Sequence, residues 1–184
     1  MSSYCLFETA IGTCGVAWNE RGLTGVQLPE ADRAATERRL KARAGGGAPA
    51  EPPPAIAAAI DALRRHFAGE RSDFSAVPLD LSGAASPFHA RVYAALRDIG
   101  WGATITYGEL AAKAGGPGEA QEVGIAMARN RLPIVVPCHR VLGTSQKRGE
   151  VNAGGFSAYG GVATKAKLLA LEGVDIGPRQ KSLF

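Results

Sequence analysis

The sequence predicts an α+β unit over residues 1–80 followed by a mainly helical unit over residues 81–184. Three observations lead there. The start of the chain reads as three short apolar segments broken by Ile11-Gly12-Thr13 and by Asn19-Glu20-Arg21-Gly22, the mark of an antiparallel meander. The run Gly45-Gly46-Gly47-Ala48-Pro49-Ala50-Glu51-Pro52-Pro53-Pro54 has no place inside a helix or strand and reads as a loop. Beyond Ser86, the apolar runs carry helix-capping residues in front and glycines behind.

In order, residues 3–8, 13–18 and 23–28 are expected as strands, and residues 30–43 as a helix with Ala34, Ala35 and Leu40 on its apolar stripe. A second helix over 55–68 carries Ile56, Ile60, Leu63 and Phe67 at helical spacing, with Gly69 as its stop. Val77 to Leu81 reads as one more strand. Ser86-Pro87 is an N-cap followed by proline at the first helical position, and Phe88, Val92, Leu96 and Ile99 line one face up to Gly100. Thr106 caps a short helix over 107–114 that stops at Gly115-Gly116, and Pro117-Gly118-Glu119 opens another over 119–129. Two short helices joined by a Gly-rich turn are a helix-turn-helix signature, although many helical hairpins bind nothing. Ile134-Val135-Val136 is a short apolar run between two prolines, and a polar loop covers 143–155. Thr164 to Glu172 reads as a closing helix with Ala166, Leu168, Leu169 and Leu171 inward and Gly173 after it.

With 46% hydrophobic and 21% charged residues among 184, the composition excludes wholesale disorder. No apolar run approaches the roughly 18 residues of a membrane span. The first eight residues lack a basic region and Glu8 interrupts their apolar stretch, so no secretory signal and a cytoplasmic chain are expected. Three cysteines make no disulfide framework. The net charge of +4 is uneven: residues 1–80 hold nine Lys and Arg against ten Asp and Glu, and residues 81–184 hold twelve against seven. The second half therefore suits a polyanion such as nucleic acid, and charge alone does not separate that reading from solubility.

Cys138 lies between an apolar run and a polar turn, next to His139 and Arg140. Cationic neighbours lower a thiol's pKa, and a base activates it directly or through one water. The competing reading is a buried structural cysteine beside an unrelated histidine. No Cys-x-x-Cys or His-x-x-x-His pair supports a metal centre.

Ile134-Val135-Val136-Pro137-Cys138-His139-Arg140-Val141 resembles the active-site signature of the O6-alkylguanine-DNA alkyltransferase family. Tyr107-Gly108-Glu109-Leu110-Ala111, Val123-Gly124-x-Ala126-Met127, Asn130-x-x-Pro133 and the stretch from Gly160-Gly161 through Lys165 and Leu168-Leu169 to Glu172-Gly173 follow in that family's order and spacing. The resemblance is strong over 86–177. Residues 1–80 match only in layout, resembling the family's ribonuclease-H-like N-terminal domain.

The resemblance implies a monomer that needs no cofactor and acts on double-stranded DNA containing O6-alkylguanine. It implies base flipping and irreversible transfer of the alkyl group to Cys138, once per molecule. His139 corresponds to the base, Glu172 to the carboxylate that orients it, and Asn130 to the hinge of the active-site turn. Tyr107 corresponds to the donor to guanine N3. Met127, Pro133, Val141, Tyr159 and Gly160 correspond to pocket residues, and Gln121, Arg129 and Arg140 to DNA contacts. Two departures stand out. The family's pattern has an arginine finger where this chain has Gln121, followed by Glu122, and glutamine lacks the stacking guanidinium plane. The loop between Val141 and Gly160, holding Gln146-Lys147-Arg148, is longer than the family's, and reads as an extra phosphate contact or as a solvated loop. A lesion binder that does not transfer the group, and a cysteine hydrolase unrelated to DNA, are the other readings.

Overall fold

The computed structural model describes residues 2–144 and 151–176. Strands β1 (Ser3–Thr9), β2 (Gly12–Asn19) and β3 (Gly22–Gln27) form the expected meander, with Phe7 opposite Cys14 and Val16 opposite Val26. A short strand that the sequence did not signal, β4 (Ala48–Pro49), lies parallel on the edge of β1 and gives the order β3-β2-β1-β4. Proline without an N–H fits an edge strand, which explains a strand inside a Gly/Pro run.

Alternation along the strands gives the sheet two apolar faces. Helix α1 (Arg33–Ala44) covers one, where Leu40 meets Tyr4 and Ala17. Asp32 caps it by accepting from the Ala35 amide at 2.7 Å. Its stripe differs from the expected one: Ala34 is exposed, Ala35 is half-buried, and Thr36 is buried instead. The Thr36 hydroxyl donates to the Asp32 carbonyl, so its polar atom is satisfied. Helix α2 (Pro54–Phe67) covers the other face with Ile56, Ile60, Leu63 and Phe67 buried as expected. The predicted strand at Val77–Leu81 reduces to one parallel bridge between Leu23 and Leu79, because Pro78 offers no amide to extend a ladder.

The second half is mainly helical. Helix α3 (Pro87–Arg97) starts at Ser86, whose hydroxyl accepts from the His89 amide at 3.1 Å. Strand β5 (Ile105–Thr106) leads into α4 (Tyr107–Lys113), opened by a reciprocal Thr106/Glu109 capping box. Helix α5 (Ala120–Ala128) packs on α4 and α3. Strand β6 (Val141–Thr144) pairs parallel with β5 and antiparallel with β7 (Val151–Asn152), so both ends of the expected loop are paired. Gln146-Lys147-Arg148 lie outside the described residues. Helix α6 (Val162–Leu171) begins two residues earlier than expected, and Ala166 and Leu171 are half-buried while Leu168 and Leu169 are buried.

One apolar core runs through both halves, from Phe7 and Leu63 to Val92, Leu110 and Val136. The Val26 amide of β3 donates to the Arg131 carbonyl at 2.8 Å across the junction. Among the described residues no helix is long and apolar enough to cross a membrane.

Candidate active site

The segment between α5 and Cys138 is held in a conformation that its sequence does not favour. Ile134 has φ +75°, left-handed backbone in a fully buried β-branched residue. Such a conformation costs about 1–3 kcal/mol and persists only where neighbours over-determine it. Asn130 supplies part of that constraint. Its Nδ2 donates to the Val136 carbonyl at 2.8 Å, and its Oδ1 accepts from the Leu132 amide at 2.9 Å. The Val136 amide donates to Leu132 at 2.7 Å, and the Cys138 amide to Val136 at 2.8 Å. The segment delivers Cys138 to the start of a single 3-10 turn, Cys138–Arg140.

His139 is fully buried, and its Nε2 lies 2.8 Å from Glu172 Oε1. Burial alone would raise the Glu172 pKa, but hydrogen bonds from His139 and Arg140 outweigh it and hold the carboxyl down to about 2. A carboxylate only accepts, so Nε2 carries the proton and Nδ1 carries the lone pair. Nδ1 is buried and has no protein partner among the described residues. Burial pushes the His139 pKa down, against the pull of Glu172. The ring therefore stays neutral, as a base must. Burial pushes the Cys138 thiol up, opposed by Asn130 and by the positive charge of Lys165.

Arg140 was expected to touch DNA. It is instead 5% exposed and clamps Glu172 with both arms of its fork, Nε to Oε2 and Nη2 to Oε1, each at 2.8 Å. Its Nη1 donates to the Ile99 carbonyl. Three of its five N–H donors are used in this way, and burial rather than a lack of donors keeps the guanidinium from the surface, so it supports the His139–Glu172 pair. The Gly102 amide completes the carboxylate's shell at 3.2 Å from Oε2.

Two buried residues beside this cluster were given no role by the sequence. Lys165 is fully buried, donates to the Val141 carbonyl, and has its pKa pushed by burial down to about 8, with Cys138 acting in the opposite direction. It shares a helical face with Leu168 and Leu169, and that spacing was the available signal. His66, one turn from Leu63 on α2, is also fully buried, with Nε2 3.7 Å from Glu172 Oε1 and its ring edge-on to Trp101 at 5.0 Å. Burial and the neighbouring His139 drive its pKa down to about 4. His66, His139 and Glu172 have the ligand types for zinc within 4.8 Å of one another. The fit fails on charge: the Arg140 guanidinium already occupies both carboxylate oxygens.

A cavity of about 400 Å³ opens onto Cys138, large enough for a purine base. Tyr107, Gly124, Met127 and Ala128 form one wall, and Gly155, Phe156 and Ser157 the other. Burial raises the Tyr107 pKa, so its hydroxyl stays protonated as a donor. Gly154 holds φ +59°, and a Cβ there would sit 3.0 Å from the Tyr107 hydroxyl, which explains the glycine. Pro133 lies in a crevice beside Cys138, also lined by Gln27 and Arg43 from the first half of the chain. Val141 is buried, and its amide donates to the Cys138 carbonyl. Tyr159 and Gly160 are not in the cavity wall: the Tyr159 side chain is exposed, and its carbonyl accepts from Thr164 Oγ1 at 2.6 Å.

Gln121 is exposed on the first turn of α5, and Arg129 is exposed just past its end. Glu122, whose charge would oppose DNA, turns back to α3, where its Oε1 lies 2.7 Å from the buried His89 Nε2.

Cys138, the His139–Glu172 pair and a purine-sized cavity thus lie together in one site. Residues 3–81 match the profile of the 6-O-methylguanine DNA methyltransferase ribonuclease-like domain, and residues 87–174 match that of its DNA-binding domain. The chain belongs to the 6-O-methylguanine DNA methyltransferase family. It is similar to the methylated-DNA–protein-cysteine methyltransferase of Mycolicibacterium paratuberculosis, 46% identical over 66% of this chain and 68% of the relative. The constitutive methylated-DNA–protein-cysteine methyltransferase of Bacillus subtilis is 32% identical over 98% of this chain and 100% of the relative. A Mycobacterium tuberculosis protein solved in complex with DNA superimposes with a TM-score of 0.70 at 36% identity, covering 92% of each chain.

Proposed function

We propose that this chain repairs DNA by direct reversal, with Cys138 taking the alkyl group from a flipped O6-alkylguanine in the cavity beside Tyr107 and Met127. The observation that carries the reading is the ordered set Cys138, His139 and Glu172: a nucleophile at the cavity floor beside a neutral base fixed by an ionised carboxylate. The free Nδ1 lone pair of His139 takes the thiol proton through one bridging water. The sulfur then attacks the alkyl carbon. The S–C bond forms as the C–O6 bond breaks, the electron pair leaves on O6, and the proton ends on the guanine. Lys165 stabilises the developing thiolate. The Tyr107 hydroxyl donates to guanine N3, and the backbones of Cys138 and Val141 read the amino edge. The Val141 carbonyl already accepts from Lys165 and has a second lone pair for this. Nothing in the site attacks a thioether, so each molecule acts once.

On the DNA side, α4 and α5 act as the helix-turn-helix of a C-terminal domain over 81–184, joined to a domain over 1–80. Helix α5 presents Gln121, Gly124, Ile125 and Ala128 outward, a low-relief face suited to a groove, and Gln121 is the wedge that fills the emptied stack. The three free cysteines suit a reducing, cytoplasmic setting.

Incubation of the full chain with duplex DNA containing O6-methylguanine, followed by mass spectrometry, tests the reading. One methyl group is expected on the peptide bearing Cys138, at one per protein, and none in Cys138→Ala. A methylated Cys138→Ala protein, or an unmodified native chain, would refute it.

A further inference from the structure

A cleft outside the alkyl-transfer cavity has no assigned role. It has a volume of about 420 Å³ and is lined by Arg43, Gly83, Tyr93, Ala128, Arg129 and Arg131. Arg43 comes from α1, in the first half of the chain, whereas Arg129 and Arg131 follow α5. An adjoining cavity of about 280 Å³ shares these three arginines and adds Arg21, Thr24 and Asp80. Asp80 is its one acidic side chain, and it is taken: Arg21 Nη2 lies 2.8 Å from it and Asn19 Nδ2 2.6 Å. Arg43, Arg129 and Arg131 have no carboxylate partner among the described residues. Burial, with the positive charges of Arg39 and Arg131, acts against the charge on Arg43 and outweighs the opposite pull of Glu30 and Cys138. The Thr24 hydroxyl in the adjoining cavity is buried with no partner among the described residues. Converging guanidinium groups without a counter-charge repel one another, and an anion between them removes that repulsion with charge-assisted hydrogen bonds.

We propose that Arg43, Arg129 and Arg131 form a phosphodiester-binding site through which the N-terminal half of the chain grips the same DNA strand that enters the alkyl-transfer cavity. This rests on the DNA-repair reading of Cys138. Two connections favour a DNA backbone phosphate over a free anion. Ala128 lines both the cleft and the cavity at Cys138, so a strand with one nucleotide in the cavity passes directly over the cleft. Arg43 also lines the crevice beside Cys138, so it reaches from the thiol's surroundings to the cleft. The site is rigid because the Arg131 carbonyl is tied to the Val26 amide at 2.8 Å.

Duplex affinity measured against salt concentration tests the site, using full-length native protein, Arg43→Ala, Arg131→Ala and the double variant. Two duplexes of one sequence are used, with and without O6-methylguanine. Each single substitution is expected to weaken binding about tenfold and to reduce the slope of log affinity against log salt by about one. Both losses fall equally on the two duplexes, because phosphates carry no base information. Arg43→Lys keeps the slope, and it serves as the folded comparison if Arg43→Ala is unstable. Native slopes in the double variant would overturn the proposal. So would a loss of inorganic phosphate binding in Arg43→Ala, read by thermal shift, with the duplex slope unchanged. The methyl adduct on the native chain is scored separately, so failure of the alkyl-transfer reading is distinguishable from failure of this one.

Discussion

His139–Glu172 and His89–Glu122 are the same pair of side chains, each 33 residues apart in sequence and in contact at 2.8 Å and 2.7 Å. Their surroundings differ. Both side chains of the first pair are fully buried and a guanidinium clamps the carboxylate, whereas the Glu122 side chain is 40% exposed. A half-exposed pair contributes at most about 1 kcal/mol, and here it acts as a staple that turns a carboxylate away from the outward face of α5. The buried pair is costly to assemble and to disturb. Removing one partner of a buried ion pair costs about 3–5 kcal/mol, because a charge is left without compensation. The difference teaches that the partners around a histidine–carboxylate contact decide its role, and the contact itself does not.

The largest effect is expected at Glu172. Glu172→Gln leaves Arg140 buried without its counter-charge and frees the His139 ring, so transfer should fall about 100-fold or more in single-turnover kinetics and the melting temperature should drop. His139→Ala should lose a similar factor, and the double variant little more, because the two act as a unit. Independent, multiplying losses would break the assignment of the pair to one relay.

A second expectation separates the pairs by pH. Burial holds the His139 pKa below its ordinary value, so the base stays neutral as pH falls. Transfer from a free O6-alkylguanine base should hold steady from about pH 8 to about pH 6, where an ordinary histidine would already be protonating. A half-loss near the ordinary histidine value would show that the buried pair is not the base. Stability follows the same sign. The Glu172 pKa is lowered from 4.5 to about 2, so its contribution is complete above pH 4.5 and is lost as pH falls toward 2. The lowered His66 pKa adds a loss that begins earlier, below 6.5.

The smallest effect is expected at Glu122. Glu122→Gln should change stability by less than about 1 kcal/mol and tighten duplex binding slightly at low salt, by removing a negative charge from α5. A large loss of folding would show that the staple matters more to α5 than its exposure indicates.

Much of this was legible in the sequence. The apolar segments and their turn-like breaks gave the three strands, and Thr106 as a cap gave the start of α4. The motif order gave Cys138, His139, Glu172 and Asn130, which the fold brings into one cluster. What stayed hidden depends on contacts between distant residues. Arg140 looked like a surface cation because nothing local shows that Glu172, 32 positions on, lies against it. His66 sat unremarked on an apolar stripe although α2 places it against the same carboxylate. The pairing of β4 with β1 and the single bridge at Leu79 likewise depend on where a partner strand happens to pass. Tyr159 and Gly160 were assigned from the resemblance, and the exposed Tyr159 side chain leaves only the backbone for the role it implies.

Lys165 has a consequence for the protein after its reaction. Before transfer, the ammonium has a sulfur able to become an anion nearby, and that negative charge is what opposes burial in holding the lysine's pKa at about 8. Alkylation converts the sulfur to a neutral thioether, and the interior keeps a cation whose prospective counter-ion has been permanently erased. The lysine then gives up its proton more readily, so the used molecule differs from the fresh one in electrical state as well as by one alkyl group. The added carbon itself is accommodated by the cavity that opens onto the sulfur. Methylation thus leaves the protein with an internal mismatch of charge, next to the segment that Ile134 already strains.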